Sequence, residues 1–115
     1  MSGGRMRRVD EAVREVLSGA ITQELKDPRV GFVTVTAVET SADLRHARVF
    51  VSVLGNPGER RRSLQALSNA RGYLQRRIGT ELHIKNTPTL EFVYDDTAER
   101  SQRINELLAS PEEDG

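Results

Sequence analysis

The hydrophobic period of this chain changes at Pro28, and that change governs what it can fold into. Before it, Val9, Ala12, Val13, Val16, Leu17, Ala20, Ile21 and Leu25 recur at helical spacing with charges between them, the pattern of a long amphipathic helix. The proline ring disfavours helical geometry in the preceding residue and has no N–H for the ladder, so the helix is expected to stop just before Pro28. After it the period falls to two. Val33, Val35 and Ala37 alternate with Thr34, Thr36 and Val38, and Val49, Val51 and Val53 alternate with Arg48, Phe50 and Ser52, as two half-buried strands require. The short connection through Ser41–Asp43 makes them an antiparallel hairpin with a basic residue on its outer face.

Asn56, Pro57 and Glu59 then form a helix-start signal: a capping side chain, a proline suited to the first helical position, and a glutamate able to reach back. Leu64, Leu67 and Ala70 make one apolar stripe and Leu74 with Ile78 another. Gly72 lies between them, so two helices joined by a kink at Ala70, Arg71 and Gly72 are expected. Past Pro88, Leu90, Phe92 and Tyr94 alternate with Glu91 and Val93 as a third strand. Asp96 and Glu99 resemble a second capping box, opening a short helix with Ile104, Leu107 and Leu108. The order helix, strand, strand, helix, kink, helix, strand, with an added C-terminal helix, is that of an α+β layer in which helices cover one face of a three-stranded sheet.

Charge is unevenly spread over this frame. Nine of the 17 basic residues but only two of the 17 acidic ones lie between Leu44 and Leu90. The nine are Arg45, Arg48, Arg60, Arg61, Arg62, Arg71, Arg76, Arg77 and Lys85, against Glu59 and Glu81, leaving +7 on a segment of a chain whose net charge is zero. Such clustering points to a polyanion, with phosphate favoured because guanidinium groups grip it bidentately; a solvated helix face is the plain alternative. At 115 residues the chain is expected to be one domain. It has no cysteine, which removes disulfides and thiolate metal sites, and neither His46 nor His83 has metal-site spacing. No uncharged run approaches the roughly 20 residues that span a bilayer. A soluble cytoplasmic protein without a membrane partner is expected.

Four segments together carry a resemblance: Glu24 to Val30 (ELKDPRV), Asp43 to Val49 (DLRHARV), Ala70-Arg71-Gly72, and Thr87 to Asp95 (TPTLEFVYD). In this order and spacing the chain resembles the bacterial ribosome-binding factor A family from Arg7 to Leu108. The resemblance implies a type II KH-like domain that binds the small (30S) ribosomal subunit and its precursors through 16S rRNA, assists late rRNA processing, and supports growth in the cold. It also suggests a ribosome-associated GTPase as a further partner; ribosomal proteins as additional contacts, a monomeric state and no cofactor are expected beside it. Ala42 stands where the family often has proline, and Phe50 where it often has tyrosine. The expected division is a flexible basic N-terminus at 1–8, a KH-like rRNA-binding domain at 9–109 and a short acidic disordered tail at 110–115.

Ordinary KH domains clamp single strands with a Gly-x-x-Gly loop between two helices. Here the resemblance puts Ala70-Arg71-Gly72 in that place, a shorter link with fewer free backbone donors. Recognition through arginine contacts to phosphates and to the shape of folded rRNA is therefore expected. The candidate contacts are Arg45, His46, Arg48, Arg60, Arg61, Arg71, Arg76, Arg77 and Lys85, with Ala70, Arg71 and Gly72 as the interhelical kink. Gly72 also has two structural explanations, close helix packing or a positive φ. Arg5, Arg7 and Arg8 either extend the footprint or are a solvated arm. Asp95, Asp96 and Glu91 suggest either a Mg²⁺ site or, for Asp96, helix capping. The competing functions are a KH-like module for single-stranded RNA, a small enzyme built on His83, Asp95 and Asp96, and an adaptor for an acidic protein.

Overall fold

The structure, a computed structural model, describes residues 2–84 and 86–109, with side chains from Arg7 onward. The expected order is present: α1 (Ser2–Gln23), β1 (Val33–Thr40), β2 (His46–Val53), α2 (Pro57–Asn69), α3 (Arg71–Leu82), β3 (Thr89–Tyr94) and α4 (Thr97–Ala109). The sheet has the order β1-β2-β3, with β1 and β2 antiparallel and β2 and β3 parallel. Val13, Leu17, Ala20 and Ile21 of α1 meet Val35, Val38, Val49 and Val51 of the sheet and Leu67, Leu74 and Ile78 of α2 and α3 in one core. Helices cover one face only, because Arg48 and Ser52 on the outer side of β2 are exposed while Ala47, Val49, Val51 and Val53 are buried.

Both ends of α1 differ from expectation. The helix begins at Ser2, ahead of Val9, so residues 2–8 belong to it. The apolar stripe marks only the part of a helix that meets a core, and backbone helicity continues past it. The acidic tail at 110–115 lies outside the described residues. At the other end, α1 closes at Gln23, where the N–H groups of Glu24 and Leu25 both donate to the Ala20 carbonyl, at 2.9 and 3.2 Å. The turn that follows is held by Asp27. Its Oδ1 accepts the Arg29 backbone N–H at 2.9 Å across Pro28, and the Arg29 guanidinium grips both carboxylate oxygens, Nε to Oδ1 at 3.0 Å and Nη2 to Oδ2 at 2.7 Å. Ser63 of α2, buried, donates to the carbonyls of Arg29 and Val30, so the turn is tied to the second helix.

The Arg29 guanidinium, and after it the Arg29 N–H, lower the Asp27 carboxyl to about 2. A depressed carboxyl contributes stability above the unfolded carboxylate value near 4 and loses it as pH falls through the folded value. Denaturant unfolding of Asp27→Asn between about pH 4 and 2 should therefore show a shallower acid loss than wild type. Parallel curves would remove Asp27 as a source of acid sensitivity.

β1 departs from simple alternation. Val35 pairs with Val51 and Ala37 with Phe50, so Thr36 is an extra residue, a bulge that reverses the inward parity beyond it. Val38 is consequently buried and Ala37 exposed, the opposite of a period-two count from Val33. The displaced Thr36 hydroxyl reaches Asp95 Oδ2 at 2.7 Å, which ties β1 to the residue that follows β3. Periodicity in the sequence does not reveal one inserted residue in a strand this short.

Candidate nucleic-acid interface

α2 and α3 carry six of the nine basic residues clustered between Leu44 and Leu90. α2 starts as a capping box: Asn56 Oδ1 accepts the Glu59 N–H and Glu59 Oε1 accepts the Asn56 N–H, both at 2.8 Å, with Pro57 in the first turn. Ala70 (φ −89°, ψ 6°) separates the helices. Its N–H still bonds back to Ala66 and Leu67, and its carbonyl accepts from Leu74 at 3.0 Å, so the ladder is barely interrupted. The two helices are nearly continuous through Ala70.

Two of the arginines expected to face a polyanion are engaged within the chain. Arg77 Nε lies 3.0 Å from Glu24 Oε1, and its Nη2 lies 3.1 Å from Glu81 Oε2. The Tyr73 hydroxyl donates to the same Glu24. Glu24 thus bolts α3 to the end of α1, and its carboxyl is lowered first by the Tyr73 hydroxyl and further by Arg77. Arg60 stacks its guanidinium on the Tyr94 ring at 4.1 Å and lies 3.5 Å from Glu99, which also accepts from the Tyr94 hydroxyl. Cation–π stacking of this kind contributes about 0.5–1 kcal/mol at exposed sites. Arg60 therefore fastens α4 to α2 and β3. Sequence counting missed both assignments because Glu24, Tyr94 and Glu99 are distant from them in the chain.

Arg48 faces Glu91 at 3.8 Å with both side chains exposed, an arrangement of little energetic weight that leaves Arg48 accessible. Arg45, Arg61, Arg62, Arg71 and Arg76 have no ion pair with any described carboxylate within 4.0 Å, and all are exposed. Arg61, Arg62, Arg71 and Arg76 stand on the helix pair. Arg45 and His46 stand at the start of β2, where with Asp43, Leu44, Ile84, Asn86, Thr87 and Thr89 they line a groove of about 870 Å³. Lys85 lies outside the described residues. Sequence reasoning missed Leu44, Asn86, Thr87 and Thr89, because the groove exists only once β3 pairs parallel with β2.

Gly72 is exposed at the start of α3, and neither structural explanation for it holds. Its φ is not positive. A Cβ placed there would meet only Arg76 Nη1, at 3.6 Å, an ordinary contact with the end of a flexible side chain. Glycine inside a helix costs about 1 kcal/mol relative to alanine, and none of the described residues requires it.

The other arrangements do not assemble. His83 caps the C-terminus of α3 in left-handed geometry, before β3 begins, while Asp95 and Asp96 follow its end. A six-residue strand separates them by roughly 20 Å. Asp95 accepts from the Thr97 N–H at 2.9 Å and from the Thr97 and Thr36 hydroxyls, which lower its carboxyl. The side chain that meets the first amide of α4 is thus Asp95, whereas the Asp96 carboxylate pairs with Arg100 at 3.0 Å. Among the described residues no group of three or more His, Cys, Asp or Glu is placed to hold a metal ion.

Fold and surface together define a type II KH-like α+β domain that presents, on a helix pair broken at Ala70, exposed arginines without an ion pair to any described carboxylate. The chain belongs to the ribosome-binding factor A family, whose members are ribosome-binding factors and not enzymes: the family model, described as "Ribosome-binding factor A", matches residues 5–108. It is 46% identical over 114 residues to the ribosome-binding factor A of Halothermothrix orenii, covering 99% of this chain and 93% of that one. The identity to the Natranaerobius thermophilus protein of the same name is 41% over 108 residues, 94% and 82% of the two chains. Among solved structures, a solution NMR structure of a Thermotoga maritima ribosome binding factor A is similar with a TM-score of 0.70 and 34% identity, over 77% of this chain and 85% of that one. A homology model of the Thermus thermophilus ribosome binding factor A, as fitted into the cryo-EM map of a complex of that factor with 30S, is similar with a TM-score of 0.63 and 29% identity, over 76% and 92%.

Proposed function

We propose that this protein docks on free small ribosomal subunits and their precursors, through 16S rRNA, and assists late rRNA processing. The observation that carries this reading is the combination on the helix pair: exposed Arg61, Arg62, Arg71 and Arg76, none of them paired with a described carboxylate, and beside Arg76 a glycine that no described residue requires. Its family membership and its likeness to a relative fitted on 30S support the choice of partner. An exposed basic helix surface suits the phosphates and shape of folded RNA, which position a protein without reading sequence. Gly72 then keeps the α3 backbone bare where an RNA strand approaches, with the Arg76 guanidinium beside it.

Binding alone supplies the activity. A factor that prefers one rRNA conformation shifts the equilibrium by its differential affinity, about tenfold for each 1.4 kcal/mol. The gain is greatest in the cold, when misfolded RNA helices escape slowly. On this reading the protein acts in the cytoplasm as a monomer, and a ribosome-associated GTPase or the matured rRNA itself ends its residence. Residues 9–109 form the rRNA-binding domain, flanked by the basic 1–8 segment and the acidic 110–115 tail.

Gly72→Ala is the sharpest test. Thermal unfolding should be unchanged or raised, by up to about 1 kcal/mol in stability, while co-sedimentation with purified small subunits weakens. Retained subunit binding would mean that Gly72 has no contact to protect.

A further inference from the structure

We propose that the groove between the β1–β2 hairpin tip and the connection from α3 to β3 binds a single unpaired RNA nucleotide. This rests on the rRNA reading above and adds to it a second, concave site at the start of β2. Its volume of about 870 Å³ lies within the usual range for small-ligand sites, roughly 300–1,000 Å³.

Both walls are fixed without a ligand. On the hairpin side, Ser41 and Asp43 build the turn: Asp43 Oδ1 accepts from the Ser41 hydroxyl at 2.7 Å and from the Arg45 N–H at 3.1 Å, while Ser41 Oγ accepts the His46 N–H. On the other side, Thr87 packs so tightly on α3 that a Cβ at Gly79 would lie 2.8 Å from its Cγ2. Pro88 is buried, and the Thr89 N–H donates to the Arg45 carbonyl at 2.8 Å, joining the walls at the floor. A preformed groove binds without the entropic penalty of ordering its own loops.

The hairpin tip also holds a residue in an unfavourable state. Leu44 has φ 61° and is 39% exposed; a branched side chain is disfavoured in the left-handed region. Strain of this kind persists where the surroundings enforce it and clusters at ligand-binding sites. Here it places an apolar side chain on the groove wall, with Ile84 also in the lining.

The lining chemistry fits one nucleotide. Arg45, with no described carboxylate partner, offers a bidentate fork for a phosphate, and His46 stands beside it. Leu44 and Ile84 provide apolar surface for a base. Asn86, Thr87 and Thr89 supply amide and hydroxyl groups able to donate to and accept from a base edge or a 2′-hydroxyl. Asp43 is the carboxylate in the lining. Its Oδ1 accepts from the Ser41 hydroxyl and the Arg45 N–H, and Arg45 and His46 set two cationic or donor side chains against this one carboxylate. A base held in a duplex cannot enter between two loops, so the site selects unpaired nucleotides.

The test is an amide-shift titration of the ¹⁵N-labelled full chain with an unstructured RNA hexamer and, separately, with a duplex RNA, alongside co-sedimentation with purified small subunits. The hexamer should shift Leu44, Arg45, His46, Asn86 and Thr87 to saturation and the duplex should not. Leu44→Gly, which relieves the positive φ and cannot unfold the turn by strain, and Arg45→Gln should each weaken the hexamer about tenfold. Hexamer shifts confined to the helix pair, or groove shifts that Leu44→Gly and Arg45→Gln leave intact in affinity, would overturn the groove proposal while the subunit reading stands. Failure of wild type to co-sediment with small subunits would overturn the subunit reading, and the groove proposal with it.

Discussion

Reversing Arg61, Arg71 and Arg76 to glutamate should cost the protein at least about a hundredfold in affinity for small subunits, taking roughly 1 kcal/mol for each lost charge-assisted contact. The salt dependence is the more specific readout. Each phosphate contact removed lowers the slope of log affinity against log salt by about 0.7–0.9, so three should lower it by roughly 2–3. Thermal stability should change little, since these side chains are exposed and have no described ion-pair partner. Arg77 is the necessary control. Arg77→Glu sets a third carboxylate against Glu24 and Glu81 and should destabilise the α1–α3 junction, so any binding loss in that variant reports on folding. An unchanged salt slope in the triple variant would place the rRNA contact elsewhere.

Leu67→Ala should lower the unfolding free energy by about 2–5 kcal/mol. Leu67 is completely buried where α2 meets the sheet, and the lost side chain leaves a cavity that close-packed neighbours fill only partly. For a domain of this size that is a large fraction of the stability of about 5–15 kcal/mol typical of folded proteins. Urea unfolding monitored by circular dichroism measures it directly. A loss below about 1 kcal/mol would mean that the core around Leu67 relaxes far more than its burial implies. Subunit binding by this variant, assayed where it remains folded, should be unchanged.

What the sequence discloses here follows from how local each signal is. The α2 capping box and the inward valines of β2 rest on neighbours within a few residues, and the structure places them as the residue pattern requires; the kink expected over Ala70, Arg71 and Gly72 narrows to Ala70, with Arg71 and Gly72 inside α3. The same patterns misplace Val38 and Ala37, because a single inserted residue at Thr36 inverts a strand's parity. They also treat every arginine on a helix surface as equally free. Arg77 and Arg60 show why that fails: Glu24 lies 53 residues from Arg77 along the chain, and Tyr94 reaches Arg60 only after β3 has joined the sheet. The groove at Leu44 and Arg45 was similarly invisible, although Arg45 and His46 were marked by their charge and chemistry. Its other wall comes from residues about forty positions away, brought near by parallel pairing that no local pattern encodes. Gly72 is the converse case. A glycine in a helix is a local anomaly, and the structure gives it meaning by removing both internal explanations.

The reading as a subunit-docking factor is tested most directly by sedimenting the tagged protein from a cell extract on sucrose gradients, at low and moderate salt, beside the Arg61, Arg71 and Arg76 triple reversal. Wild type should travel with free small subunits and their precursors and be absent from assembled 70S ribosomes, and the triple reversal should remain at the top of the gradient. Wild type at the top under both salt conditions, or a triple variant that travels with the subunits as wild type does, would contradict docking through the kinked helix pair.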